Sequence, residues 1–111
     1  MARQPLQTTI DNGVLTIQCP KKLNFEMTQT FRESYQKHLP DINQIVIDMQ
    51  ETEWIESSGI GLLLLLNSHI DPNRIKVSIV NVNPTVEKIF LVSHIHRIFK
   101  VVKSRNNVDN N

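Results

Sequence analysis

Few side chains in this 111-residue chain could take part in chemistry: four histidines, one cysteine, and a pair of serines just ahead of a run of leucines. His94 and His96 have the spacing of a metal-binding pair, but no carboxylate or cysteine stands at ligand spacing beside them, and two nitrogens do not complete a site. They fall just past a predicted helix and read as surface or C-capping groups; His38 and His69 complete the set. Cys19 lies at a predicted strand end beside Pro20 with no activating base nearby in sequence, so it reads as a structural thiol. No nucleophile elbow, lysine-bearing phosphate loop or dinucleotide fingerprint is present. No catalytic residue, cofactor or metal is expected.

The informative segment is Glu56-Ser57-Ser58-Gly59-Ile60-Gly61, which runs into five consecutive leucines. The first four N–H groups of a helix lack partners within it, so a hydroxyl of Ser57 or Ser58 can cap the helix, and a phosphate there would meet the positive end of its dipole. Gly59 and Gly61 cost the helix about 1 kcal/mol each relative to alanine, which suggests that something approaches the backbone closely. An ordinary serine N-cap, with glycines that let the helix pack near a strand, fits the same residues. The leucines sweep about 400° around the axis and cannot all face one sheet, so at least one is expected to be exposed or covered by a partner; a helix wedged between the sheet and its neighbours would also absorb them.

The elements that must position this segment follow from the pattern. Asp11-Asn12-Gly13, between Thr8-Thr9-Ile10 and Val14-Leu15-Thr16-Ile17, predicts a β-hairpin, since Asn-Gly supplies the positive φ angles of a tight turn. Asn24 is placed to cap a helix with Met27, Phe31, Tyr35 and Leu39 on its apolar stripe, ended by Pro40. Gln44 to Asp48 and Lys76 to Asn81 read as buried strands, separated by the leucine helix, which runs to about Ile70 and stops at Asp71-Pro72-Asn73. Asn83-Pro84 opens a last helix with Val86, Ile89, Phe90 and Ser93 inward, and Ile98 to Val102 suits a final strand. The order β, β, α, β, α, β, α and a last β implies an α/β fold, with a mixed sheet built from an antiparallel hairpin and parallel crossovers and with helices packed against it.

Length suits one domain, and 40% hydrophobic with 21% charged residues excludes a disordered chain. A net charge of +1 gives no basic surplus for nucleic acid or an anionic membrane. The longest apolar run, Ile60 to Leu66, is far short of the ~20 residues that span a bilayer, and Met1-Ala2-Arg3-Gln4-Pro5 has no leader-like apolar stretch. With a single cysteine, these features predict a cytoplasmic protein. The polar residues 104–111 are expected to form a flexible tail beyond a single domain over 1–103.

The motif and its surroundings resemble a STAS domain of the bacterial anti-sigma factor antagonist family. That family has a strand ending in Asp, a short connection, then Asp-Ser-Ser-Gly-Leu-Gly opening a leucine-rich helix. Here stand Ile45-Val46-Ile47-Asp48, then Trp54-Ile55-Glu56-Ser57-Ser58-Gly59-Ile60-Gly61-Leu62. Val80-Asn81-Val82-Asn83-Pro84-Thr85-Val86 resembles the family's junction into the last helix, and Arg97-Ile98-Phe99-Lys100-Val101 its C-terminal end, so the likeness runs from about Ile10 to Lys103. It implies the STAS fold, a mixed sheet with three to four helices.

The resemblance also implies a protein–protein switch without catalysis. In such antagonists the second serine, here Ser58, is phosphorylated by a partner that is both anti-sigma factor and serine kinase. The unphosphorylated form binds that partner and frees a sigma factor or another output protein; a metal-dependent serine/threonine phosphatase reverses the modification. Asn24, Glu56, Ser57, Ser58, Gly59, Ile60 and Gly61 are the implied partner-binding residues, and a monomer suffices. Three departures stand out: Glu56 replaces the usual Asp, Asn24 replaces an Asp found in many members, and His94 replaces a helix-ending Gly, at a position where histidine tolerates positive φ better than most residues. Two other readings are a STAS subunit of a membrane transport system, against which the full Ser-Ser-Gly signature counts, and a small enzyme or nucleotide-binding domain using the helix N-terminus.

Overall fold

A computed structural model describes residues 5–104. The hairpin forms as expected: β1 (Thr8–Asp11) pairs antiparallel with β2 (Val14–Gln18) across Asn12 and Gly13, which hold φ of 52° and 80°. Strand β2 then pairs in parallel with β4 (Gln44–Asp48), β4 with β6 (Lys76–Val82), and β6 with β7 (Lys100–Lys103), giving the order β1-β2-β4-β6-β7. Alternate positions are buried: Leu15, Ile17, Ile45, Ile47 and Ile79 face the core, while Thr16, Val46, Ser78 and Val80 stay partly open on the other side. That alternation marks a sheet with one face covered.

Among the described residues three α-helices accompany it: α1 (Thr28–Tyr35), α2 (Ser57–His69) and α3 (Pro84–Val92). The predicted first helix is shorter than its stripe suggested. A 3₁₀ turn, Phe25–Met27, precedes α1, and a second 3₁₀ segment, Gln36–Asp41, follows it with Pro40 inside. Proline lacks the N–H that would bond four residues back, and its ring crowds that carbonyl, which disfavours continuing the α-helix through residue 40. Phe31 and Tyr35 are nevertheless buried, and Met27 and Leu39 pack against the core as the stripe requires. Asn83 accepts a hydrogen bond from Val86 N at 2.8 Å and Pro84 opens α3. The final strand begins two residues later than expected, because Ile95–Arg97 forms a 3₁₀ turn entered through left-handed His94 at φ 63°.

A second, two-stranded sheet escaped the sequence reading. β3 (Lys22–Leu23) pairs in parallel with β5 (Trp54–Ile55), joining the segment before α1 to the segment before α2. Two-residue strands carry no periodicity, so no pattern announces them. The expected tail lies, apart from Ser104, outside the described residues; Ser104 N still bonds Val82 O at 2.9 Å. Among the described residues no helix is long and apolar enough to cross a membrane.

Candidate functional site at the start of the leucine helix

The small sheet brings the start of α2 beside the turn before α1. Lys22 and Trp54 are partners in the ladder, and Glu56, two residues on from Trp54, forms an ion pair with Lys22 at 3.2 Å. The loop that delivers β5 is fastened from below. Asp48 accepts from Gln50 N and Asn81 Nδ2, both at 3.0 Å, and from Gln18 Nε2 at 3.2 Å, so one carboxylate ties the C-terminal ends of β2, β4 and β6. Buried Thr52 donates its hydroxyl to Pro20 O at 2.8 Å, and its own carbonyl accepts from Asn83 Nδ2 at 2.9 Å.

The serines do not cap α2 in the manner expected. Glu56 is the N-cap residue, and its carbonyl accepts from Gly59 N at 2.8 Å and Ile60 N at 3.1 Å, while its carboxylate makes no capping bond. Its longer side chain reaches the Lys22 ammonium instead. Ser57 and Ser58 are the first two helical residues; Ser57 is exposed and Ser58 partly buried. Ser58 Oγ accepts from the backbone N–H of Phe25 at 2.9 Å, across 33 residues of sequence. Asn24 caps the Phe25–Met27 turn, its Oδ1 accepting from Glu26 N at 2.9 Å. Thus Asn24 and Ser58 satisfy successive amides of that turn, where a helical start would otherwise leave them unpaired.

The two glycines separate. A Cβ on Gly59 would lie 2.3 Å from the carbonyl oxygen of Leu23 and 2.9 Å from the Ile55 side chain, so the close approach inferred from the sequence is that of β3 and β5. Gly61 has open space where its Cβ would be, and the expectation of a close neighbour fails there within this chain. Ile60 points into the core, as do Leu62, Leu63 and Leu66, whereas Leu64 is 43% exposed. Of the seven implied contact residues, Gly59 and Ile60 are therefore buried and shape the surface from beneath; Ser57 and Gly61 are exposed, and Asn24, Glu56 and Ser58 are partly so.

Two aromatic residues at this end were missed. Phe25 is 65% exposed and Trp54 48% exposed, one in the turn bonded to Ser58 and the other in the ladder beside Lys22. Phe25 falls out of phase with the Met27, Phe31, Tyr35 stripe, which is the one signal that could have flagged it.

The remaining candidates lie elsewhere. Cys19 is buried, and burial, with the Asp48 carboxylate adding to it, pushes its thiol up to about 12, which keeps it neutral and unreactive. Burial also raises the Tyr35 hydroxyl, against an opposing pull from Arg32; this hydroxyl meets His69 Nδ1 at 2.8 Å and ties α1 to the far end of α2. The rings of His94 and His96 are 6.1 Å apart, and among the described residues no group of three or more histidine, cysteine or acidic side chains could hold a metal ion. An open concavity of about 740 Å³, lined by residues such as Val46, Ser78, Val80, Ile98 and Lys100, does not include Ser57 or Ser58.

The STAS domain family matches residues 5–110. This chain belongs to the STAS domain family. A STAS-domain containing protein of Pseudomonas aeruginosa is 32% identical over 91 residues, covering 82% of this chain and 90% of the relative. Among solved structures, a putative anti-sigma factor antagonist of Thermotoga maritima superposes with a TM-score of 0.76 at 21% identity, over 93% of this chain and 90% of that one. The anti-sigma factor antagonist SpoIIAA in its unphosphorylated form gives 0.74 at 18% identity, over 94% and 93%. Bacillus SpoIIAA in its phosphorylated form gives 0.67 at 17% identity, over 94% and 96%. At these identities the structural likeness establishes the STAS fold, in which the Ser57-Ser58 pair opens the leucine helix.

Proposed function

We propose that this STAS protein is an anti-sigma factor antagonist in a cytoplasmic partner-switching module. Its unphosphorylated form binds an anti-sigma factor that is also a serine kinase, and so releases a sigma factor or another output protein. Phosphorylation of Ser58 blocks that binding, and a metal-dependent serine/threonine phosphatase restores it. The single observation that carries the reading is the placement of Ser58: its hydroxyl lies at the start of α2, on a surface edged by exposed Phe25 and Trp54. The family membership and the fold shared with anti-sigma factor antagonists support it.

The physics of the switch is local. Phosphoserine adds about −1.5 to −2 charges and three acceptor oxygens, which a helix N-terminus tolerates, so the domain keeps its fold. In a packed interface the same charge must be desolvated next to the Lys22–Glu56 ion pair, and a buried charge without a partner of opposite sign costs about 3–5 kcal/mol. The test is intact-mass and peptide mass spectrometry after incubation with ATP and native cell extract. One added phosphate that maps to Ser58 and disappears in Ser58→Ala is expected; the same phosphorylation stoichiometry on the variant would remove Ser58 from the mechanism.

A further inference from the structure

The start of α2 and the turn before α1 are joined through the very oxygen that phosphorylation would modify. Phe25 N donates to Ser58 Oγ at 2.9 Å, and the next amide, Glu26 N, is held by Asn24 Oδ1. Thr28 Oγ1 in turn donates to Phe25 O at 2.5 Å, closing the turn from its other end. The turn is only three residues long; Met27 packs against the core, whereas Phe25 and Glu26 are exposed, so the position of its first two residues depends on these few polar bonds. Its exposed side chains are those of Glu26 and Phe25, and the Phe25 ring is the most exposed aromatic among the described residues.

We infer that the Phe25–Glu26 end of this turn is the mobile element of the switch: phosphorylation of Ser58 moves it against the anchored Met27, and with it the Phe25 ring on the partner-facing surface. The inference rests on the phosphorylation reading above. In the transfer, Oγ loses its proton and forms a bond to the terminal phosphorus of a nucleoside triphosphate, and the nucleoside diphosphate leaves. Oγ becomes an ester oxygen, a poorer acceptor, while the strong acceptors are now the phosphate oxygens one bond further out. The Phe25 N–H follows them, because a hydrogen bond to a charged oxygen is about twice as strong as one to a neutral oxygen. Following them requires this end of the turn to shift, since its present position is matched to a hydroxyl. The partner would therefore meet a displaced aromatic contact as well as a new charge.

The test uses protein synthesised with phosphoserine at position 58, which needs no kinase, and compares its backbone amide NMR spectrum and hydrogen exchange with those of unmodified protein. The Phe25 amide is expected to shift and to exchange about fivefold more slowly, as replacement of a neutral acceptor by a charged one implies. The amides of Glu26, Met27 and Thr28 are expected to shift with it. Two variants separate the amide from the ring. Phe25→Ala keeps the N–H and should retain the response of residues 26–28. Phe25→Pro lacks the N–H at a first-turn position that suits proline, after an Asn24 already extended at φ −152° and ψ −173°, and should lose it. An unmoved Phe25 amide, loss of the response in Phe25→Ala, or its survival in Phe25→Pro would overturn the coupling. Failure of extract and ATP to phosphorylate Ser58 would instead overturn the functional reading, so the two can fail separately.

Discussion

The two faces of α2 obey different rules. On the inner face Gly59 lies under the Leu23 carbonyl, and Ile60, Leu62, Leu63 and Leu66 fill the core. On the outer face Ser57, Gly61, Leu64 and Ser68 fall at helical spacing and are all exposed. The same residue types, glycine and leucine, occur on both faces. Inside they answer to packing within the chain; outside, Gly61 meets no atom of the chain and Leu64 stays partly in solvent, and Gly61 is among the residues that the proposed function gives to a partner.

The glycines should give the widest contrast. Gly59→Ala forces a Cβ against backbone that cannot yield and should destabilise the protein by about 3 kcal/mol, the upper part of the range for overpacking, even after the gain in helix propensity. Gly61→Ala meets no atom and should stabilise by about 1 kcal/mol for the same propensity reason, while weakening the partner complex. Urea unfolding of both variants checks the pair, and equal destabilisation would break the distinction between the faces.

The leucines should give a narrower one. Leu63→Ala is expected to cost about 2–5 kcal/mol, as for a fully buried leucine, and Leu64→Ala about 0.5 kcal/mol or less. A cost at Leu64 comparable to that at Leu63 would mean that the outer face is packed in the protein in solution.

Much of this was legible in the sequence, and the reasons for the gaps are physical. The hairpin turn, the Asn83-Pro84 cap, the buried strands and the alternation of elements rest on local backbone preference and periodicity, which a sequence carries openly. His94 also takes the left-handed conformation anticipated for it. The β3–β5 ladder was hidden because two residues have no period. The role of Ser58 as acceptor for Phe25, in place of capping its own helix, was hidden because it depends on a contact 33 residues away. The leucine run left open whether one residue faces outward or all are covered by a wedged helix, and did not say which would be outward; the phase of α2 against the sheet decides for Leu64. Gly59 and Gly61 looked alike in sequence for the same reason.

The central claim is that the chemical state of Ser58 sets partner affinity. It is tested most directly by titrating the purified kinase partner with unmodified protein and with protein carrying phosphoserine at position 58, under identical salt. The account predicts a dissociation constant at least about 100-fold higher for the phosphorylated form, as burying an uncompensated charge at the interface implies. Equal affinity for the two forms would contradict it.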